Sequence, residues 1–420
     1  MISVDQALKI VLDNVAALGA ERIPIVDALG RVLAEEICSP RDIPGFDNSA
    51  MDGYAVRAAD IMSASESHPV RLKVLETVGA GVMPSVRIES GQAVRTMTGA
   101  PIADGADAVV PVEHTQGGEG EVEVMAPAEK GAFVRPRGED IKRAELVFAL
   151  GKALSPSDLG MLASLNRSMI DVYRRPRVAI VATGDELVDV DTVPTGAQVV
   201  NSSAYGLATA IRETGGEPIM LKVARDQPEE VRARLAEALA FDVVLTTGGV
   251  SVGQFDHVKV VLDELGLRQL FHGVAQKPGR PLKFGTIGGK PIFGLPGNPV
   301  STMVCFYLYV RPVLRQMAGR KDVGLPRISV LCALDIKKAK NLTEFVRVTL
   351  SMVNGQIYAT PTGNQSSGVL SSLSRAHGLL IGPASDRVIE AGRHAAVLLL
   401  DAAAAADAEA YFEERRRSSN

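Results

Sequence analysis

Between residues 177 and 301, four strand ends and a Lys/Arg-bearing proline run carry residues suited to phosphate chemistry. RVAIVA leads into Thr183-Gly184-Asp185-Glu186-Leu187, and EPIMLKVA leads into Arg225-Asp226. DVVLTT leads into Gly248-Gly249-Val250-Ser251-Val252-Gly253, with Asp256 just beyond. In an open parallel sheet, ligands bind outside the carboxyl ends of the strands, so these loops share one edge. The glycines let backbone N–H groups approach an anion. Lys277-Pro278-Gly279-Arg280-Pro281-Leu282-Lys283 holds three cations on a proline-restricted backbone, as an oxyanion site requires. In Leu295-Pro296-Gly297-Asn298-Pro299-Val300-Ser301, Asn298 reads as the N-cap and Pro299 as the first residue of a helix whose positive end joins the crevice. Taken singly, each loop is an ordinary polar turn, a helix cap (Asp226 before Pro228) or a solvated cation run. Their co-occurrence is the signal. Carboxylates among phosphate-binding loops repel the anion unless a cation bridges them, and Mg²⁺ takes one or two carboxylates plus substrate phosphates, so Glu186, Asp226 and Asp256 are candidate Mg²⁺ ligands.

A second group of polar loops lies upstream. Pro44-Gly45-Phe46-Asp47-Asn48-Ser49-Ala50-Met51-Asp52-Gly53-Tyr54-Ala55 is followed by Arg95-Thr96-Met97-Thr98-Gly99-Ala100-Pro101 and by Arg135-Pro136-Arg137-Gly138-Glu139-Asp140. Side chains in such rows also satisfy their own backbone in turns, which is the plainer reading.

The elements that must position these loops follow from periodicity. Ser3 and Gln6 form a capping box ahead of a helix with Val4, Leu8, Val11, Val15 and Leu18 on one face. From Asp42 to about Asp140, short β-prone runs such as Val70–Val78 and Ala93–Thr98 alternate with Gly/Pro turns. Helical spacing returns at Leu159, Leu162, Ala163 and Leu165, so the β module reads as an insertion into a helical domain. Strands then alternate with amphipathic helices from Arg177 to about Arg320, the pattern of a helix-covered parallel sheet, and residues 327–400 return to short strands. The expected division is a helical dimerisation domain at 1–41 and 141–175, an inserted β domain at 42–140, an α/β domain at 176–326, a C-terminal β domain at 327–401 and a tail at 402–420.

Composition excludes several alternatives. Lys plus Arg number 45 against 49 Asp plus Glu, a net charge of −4, so no global field holds nucleic acid or an anionic membrane. Aromatics are 4% with no Trp, which argues against base-stacking platforms. Cys38, Cys305 and Cys332 are far apart in sequence and read as buried small hydrophobes rather than a zinc site or disulfide framework. No stretch matches a signal peptide or a membrane span, and the expected location is the cytoplasm.

In order, FDNSAMDGYAVR, the TMTGAPI run, RPRGEDI, TGDEL, TTGGVSVGQFD, QKPGRPLKFG and GLPGNPVS resemble the molybdopterin molybdenumtransferase family, to which the gephyrin E domain belongs. The resemblance spans residues 1 to about 400. It implies an elongated homodimer of four-domain subunits: helical domain, inserted β domain, three-layer parallel-sheet α/β domain and C-terminal β-barrel-like domain. It also implies Mg²⁺-assisted insertion of molybdate into adenylylated molybdopterin with release of AMP, in a cleft between the α/β domain of one subunit and the inserted domain of the other. Carried over motif by motif, Asp52, Thr98, Asp140, Glu186, Asp226 and Asp256 would be catalytic. Gly248, Gly249, Ser251, Lys277, Arg280, Pro296, Pro299, Ser301, Arg347 and Ser366 would contact substrate. Arg280 departs from the second lysine many members carry there, which keeps the charge but changes its geometry. Expected partners are adenylylated molybdopterin, molybdate, a second copy of the chain and other molybdenum cofactor enzymes. Two rival readings are a paralogue acting on tungstate or a modified pterin, and a scaffold that keeps the fold to cluster partner proteins.

Overall fold

The computed structural model describes residues 1–248 and 257–400. Among the described residues no helix is long and apolar enough to cross a membrane. The chain divides into two compact units, one of Met1–Ala34, Gly151–Pro156 and Met169 onward, the other of Glu35–Leu150 and Ser157–Ser168.

In the second unit, six strands form one sheet in the order Ala108–Pro111, Gly53–Val56, Gln92–Thr96, Val70–Val78, Glu121–Val124, Thr115–Gly117. Successive strand residues point to opposite faces, and both faces are covered. Tyr54, Val56, Leu72 and Val110 fill one core, whereas Ala55, Val78, Val94 and Val109 fill the other.

The first unit begins with helix α1 (Val4–Asp13), whose capping box forms: Gln6 N donates to Ser3 Oγ at 3.2 Å and Ser3 N to Gln6 Oε1 at 3.0 Å. Ala7 and Val11 of α1 join the main core of the α/β domain. The segments read as helical also hold an antiparallel pair, β1 (Ala20–Pro24) and β2 (Met169–Tyr173).

The α/β domain comprises β3 (Arg177–Ala182), α2 (Ser202–Thr214), β4 (Glu217–Met220), α3 (Pro228–Ala238), β5 (Val243–Thr247), α4 (His257–Glu264), β6 (Arg268–His272), β7 (Lys283–Ile287) and β8 (Lys290–Leu295). Helix α5 (Pro299–Cys305), a π-helical turn at Phe306–Val310 and α6 (Arg311–Met317) then run on without a break. Pro312 has no N–H to continue the α-helical ladder, which accounts for the widened turn before it. The sheet order is β4-β3-β5-β8-β7-β6, parallel through β8 and antiparallel beyond. The chain leaves β3 for β4 on one side and returns to β5 on the other. The switch point therefore lies between the carboxyl ends of β3 and β5, where such sheets bind ligands.

The C-terminal domain is a closed five-stranded barrel of β9 (Arg327–Cys332), β10 (Thr343–Val353), β11 (Gln356–Pro361), β12 (Gly378–Gly382) and β13 (His394–Leu399). Closure comes from β12 pairing with β10. Val346, Val348 and Leu350 point into the barrel core, whereas Phe345 joins the α/β core. The two-residue strand Gln276–Lys277 extends the barrel beside β10. Cys305 and Cys332 are buried as expected, but Cys38 is exposed: Ile37 and Ser39 on either side turn inward, and the alternation of the extended chain turns Cys38 outward.

Candidate active site

A cleft of about 590 Å³ opens at the switch point, within the size range of small-molecule sites. Thr183 and Glu186 line it after β3, Thr247 and Gly248 at the end of β5, Gly297, Asn298 and Pro299 after β8, and Asn201, Ser202 and Ser203 at the start of α2. Leu187–Val188 and Val199–Val200 pair in parallel and join the two rims: Val199 N donates to Glu186 O at 2.8 Å and Asn201 N to Val188 O at 2.9 Å. Asn201 caps α2 by accepting from Ala204 N at 3.3 Å. Gly248, at φ +86°, lies so close to the Thr183 loop that a Cβ there would sit 2.7 Å from the Thr183 carbonyl oxygen. Glu186 folds back over Gly184, and its carboxylate makes no hydrogen bond or ion pair with the described residues. Thr183 Oγ1 is buried and unpartnered among the described residues, a costly state that a polar ligand would relieve.

Of the residues singled out in the sequence, Glu186, Gly248 and Pro299 line this cleft; Gly249, Ser251 and Asp256 lie outside the described residues. Pro296 is buried at the end of β8, its carbonyl taken by the Thr302 hydroxyl, and Ser301 is buried in the first turn of α5. Asp226 is exposed, and its amide donates to Asp185 Oδ1 at 3.2 Å; the cap position of α3 belongs to Gln227 instead. Asn298 occupies the N-cap position of α5, but its side chain donates to Ser367 Oγ at 3.0 Å rather than capping the helix.

The cation cluster is arranged differently from the sequence expectation. Lys277 Nζ lies 2.8 Å from Glu344 Oε1, and Glu344 is only 5% exposed, so this ammonium neutralises a buried carboxylate of the barrel. Arg280 is exposed, with Nε directed at Met1 Sδ at 3.0 Å. Arg347 is buried and Ser366 turns its carbonyl to it, so the barrel reaches the cleft through Gly368 instead. Among the described residues no Lys or Arg lines the cleft, and anion-binding groups there are amides and hydroxyls.

In the second unit the three polar loops converge. Asn48–Ser49 pairs with Val134–Arg135, Ser49 N donates to Ala100 O at 3.0 Å, and Gly99 N donates to Ser49 O at 2.8 Å. Asp52 Oδ1 accepts from both the amide and the hydroxyl of Thr98, each at 2.7 Å. Those bonds, the amide one foremost, hold the Asp52 carboxyl below its ordinary pKa. Asp140 is exposed on the next loop, its amide bonded to Ile43 O at 3.0 Å. Sequence reasoning gave Asp42 no role and Asp47 only a place in its polar row; both brace that loop. Asp42 accepts from Arg143 N at 2.8 Å and Arg137 Nε at 2.5 Å, and Asp47 accepts from Arg137 N at 2.6 Å. It also missed Asn201-Ser202-Ser203, whose signal was a capping residue opening a helix directly after an apolar pair.

Three family models cover most of the chain: "MoeA N-terminal region (domain I and II)" over residues 2–166, "Probable molybdopterin binding domain" over 179–316, and "MoeA C-terminal region (domain IV)" over 329–400. A molybdopterin molybdenumtransferase from Nostoc sp. is 34% identical over 410 residues, 95% of this chain and 94% of the relative. The chain belongs to the molybdopterin molybdenumtransferase family. A member from Bacillus subtilis is likewise 34% identical, over 95% of this chain and 94% of the relative. The solved structure of a molybdopterin biosynthesis moea protein from Pyrococcus horikosii superposes with TM-score 0.84 at 33% identity, covering 96% of this chain and 99% of that one. Like the molybdopterin molybdenumtransferases it matches, the chain is a transferase. Apart from Gly368, every cleft-lining residue falls within the stretch that matches the molybdopterin-binding model.

Proposed function

We propose that the chain inserts molybdate into adenylylated molybdopterin, with cleavage of the phosphoanhydride and release of AMP and molybdenum cofactor, in a Mg²⁺-dependent reaction. The observation that carries this reading is a cleft at the sheet's switch point, walled by amides, hydroxyls and a carboxylate, Glu186, without a partner among the described residues, inside the molybdopterin-binding stretch of a family match over 95% of the chain.

Mg²⁺ accepts one or two carboxylates, the rest of its shell being water and phosphate oxygens. Glu186 fits that demand, since its carboxylate lines the cleft without a partner among the described residues. Asp226 and Asp256 are the further candidates, although Asp226 does not line the cleft. Among the described residues, no three His, Cys, Asp or Glu groups gather as a metal cage, so substrate oxygens would supply most of the coordination. When bound, Mg²⁺ neutralises and polarises the pyrophosphate. The chain's own residues orient the substrate. In this reading the Ser202 and Ser203 amides at the start of α2 and the Thr183 hydroxyl donate to phosphate oxygens. Gly248 keeps the floor open where a side chain would collide with Thr183. Asp52, ionised, and Thr98, its neutral donor, serve the same reaction, and the active species is a homodimer.

The test is incubation of the purified chain with adenylylated molybdopterin, molybdate and Mg²⁺. AMP release that depends on both molybdate and Mg²⁺ supports the reading; a folded protein that releases none overturns it and leaves the scaffold role.

A further inference from the structure

The outer face of β10 carries a buried cation that the cleft does not use. Arg347 alternates with the core residues Val346 and Val348 and is 1% exposed. Its Nε donates to Ser372 Oγ at 3.1 Å, and its Nη2 donates to the carbonyls of Ser366 at 3.1 Å and Asn364 at 3.4 Å. The backbone of the same residue closes the ring. Arg347 N donates to Gln365 Oε1 at 2.9 Å, while Arg347 O accepts from Gln365 Nε2 at 3.1 Å and Thr362 N at 3.0 Å. The segment from Thr362 to Ser366 is thereby tied to one strand residue. The next two residues reach the cleft: Ser367 O accepts from Val300 N at 3.2 Å, Ser367 Oγ accepts from Asn298 Nδ2, and Gly368 lines the wall.

We propose that Arg347 and Gln365 form a clamp that positions residues 366–368 against the first turn of α5, making the barrel a fixed wall of the cleft and Arg347 a positioning residue. Where the wall acts on substrate, this rests on the function proposed above. The chemistry is that of the guanidinium fork, whose planar donors meet two carbonyls and a hydroxyl in one geometry that an ammonium does not reproduce. Small displacements of a positioning wall carry large kinetic costs.

The test compares Arg347→Lys, Arg347→Met, Gln365→Ala and the mild Ser372→Ala in the full chain. Hydrogen exchange at the amides of residues 362–369 and Val300 should quicken by about tenfold in Arg347→Lys and Gln365→Ala, and by roughly threefold in Ser372→Ala. KM for adenylylated molybdopterin should rise by about tenfold in both Arg347 variants, with kcat changed by less than about threefold. Unchanged exchange overturns the clamp, as does a wild-type KM restored by lysine alone, since that would mean the charge itself meets substrate. If the wild type releases no AMP, the proposed function fails, and the exchange measurement still decides the clamp.

Discussion

Both hydrogen-bonding groups of Thr98, the amide and the hydroxyl, converge on a single oxygen of Asp52, each at 2.7 Å. The two residues come from loops far apart in sequence, joined by the strand pairing around Ser49. Removing the hydroxyl with Thr98→Ala should raise the Asp52 pKa toward the ordinary carboxylate value of about 3.9. A carboxyl NMR titration reads this directly, and an unmoved titration would show that the hydroxyl does not stabilise the ionised form. The folded-state pKa lies below the unfolded one, so the pair's contribution to stability is complete at neutral pH. That contribution is lost as acid takes the pH below about 4 and through the folded value.

Gly248 is fixed by two constraints at once, a left-handed φ and the nearby Thr183 carbonyl. Gly248→Ala should therefore cost on the order of 1–3 kcal/mol, measured by urea unfolding, and should displace the cleft floor enough to reduce turnover. Wild-type stability and turnover together would contradict the close approach.

Glu186 makes no bond with the described residues, so its charge should matter to ligand rather than to fold. Glu186→Gln should unfold within about 0.5 kcal/mol of the wild type. The Mg²⁺ concentration for half-maximal AMP release should rise by about tenfold, equivalent to a lost contact of about 1.4 kcal/mol. A wild-type Mg²⁺ response in this variant would remove Glu186 from the metal.

Lys277 belongs to the stability of the molecule through its bond to the buried Glu344. Lys277→Ala leaves that carboxylate only the Ala339 amide, 3.1 Å from Oε2, and no counter-charge, and should cost about 1–3 kcal/mol by chemical denaturation. Lys277→Ala with Glu344→Gln should recover part of the loss, because the neutral side chain needs no counter-charge. No recovery would mean that the ammonium stabilises by some other contact.

These outcomes also mark what the sequence can and cannot reveal. The parallel sheet and its cleft-bearing edge were legible because apolar runs of strand length end in glycine, acidic or Asn-Pro loops, and periodicity fixes where such loops emerge. The convergence of the Asp52, Thr98 and Asp140 loops was legible only through the family resemblance, since strand pairing between distant segments leaves no local pattern. The protein partners of Lys277, Asn298 and Arg347 were not legible for one reason. Each spends its side chain on a partner in the C-terminal barrel, namely Glu344, Ser367 and the 364–366 segment with Ser372. Residue type signals that a cation or amide needs a partner, but not whether that partner is ligand or protein.

The proposed activity requires that adenylylated molybdopterin bind in the switch-point cleft. Hydrogen exchange of the wild-type chain with and without that ligand tests this most directly. The prediction is protection concentrated at residues 183–187, 201–203, 297–300 and 368. Demonstrated binding that leaves those amides unchanged and protects others would contradict it.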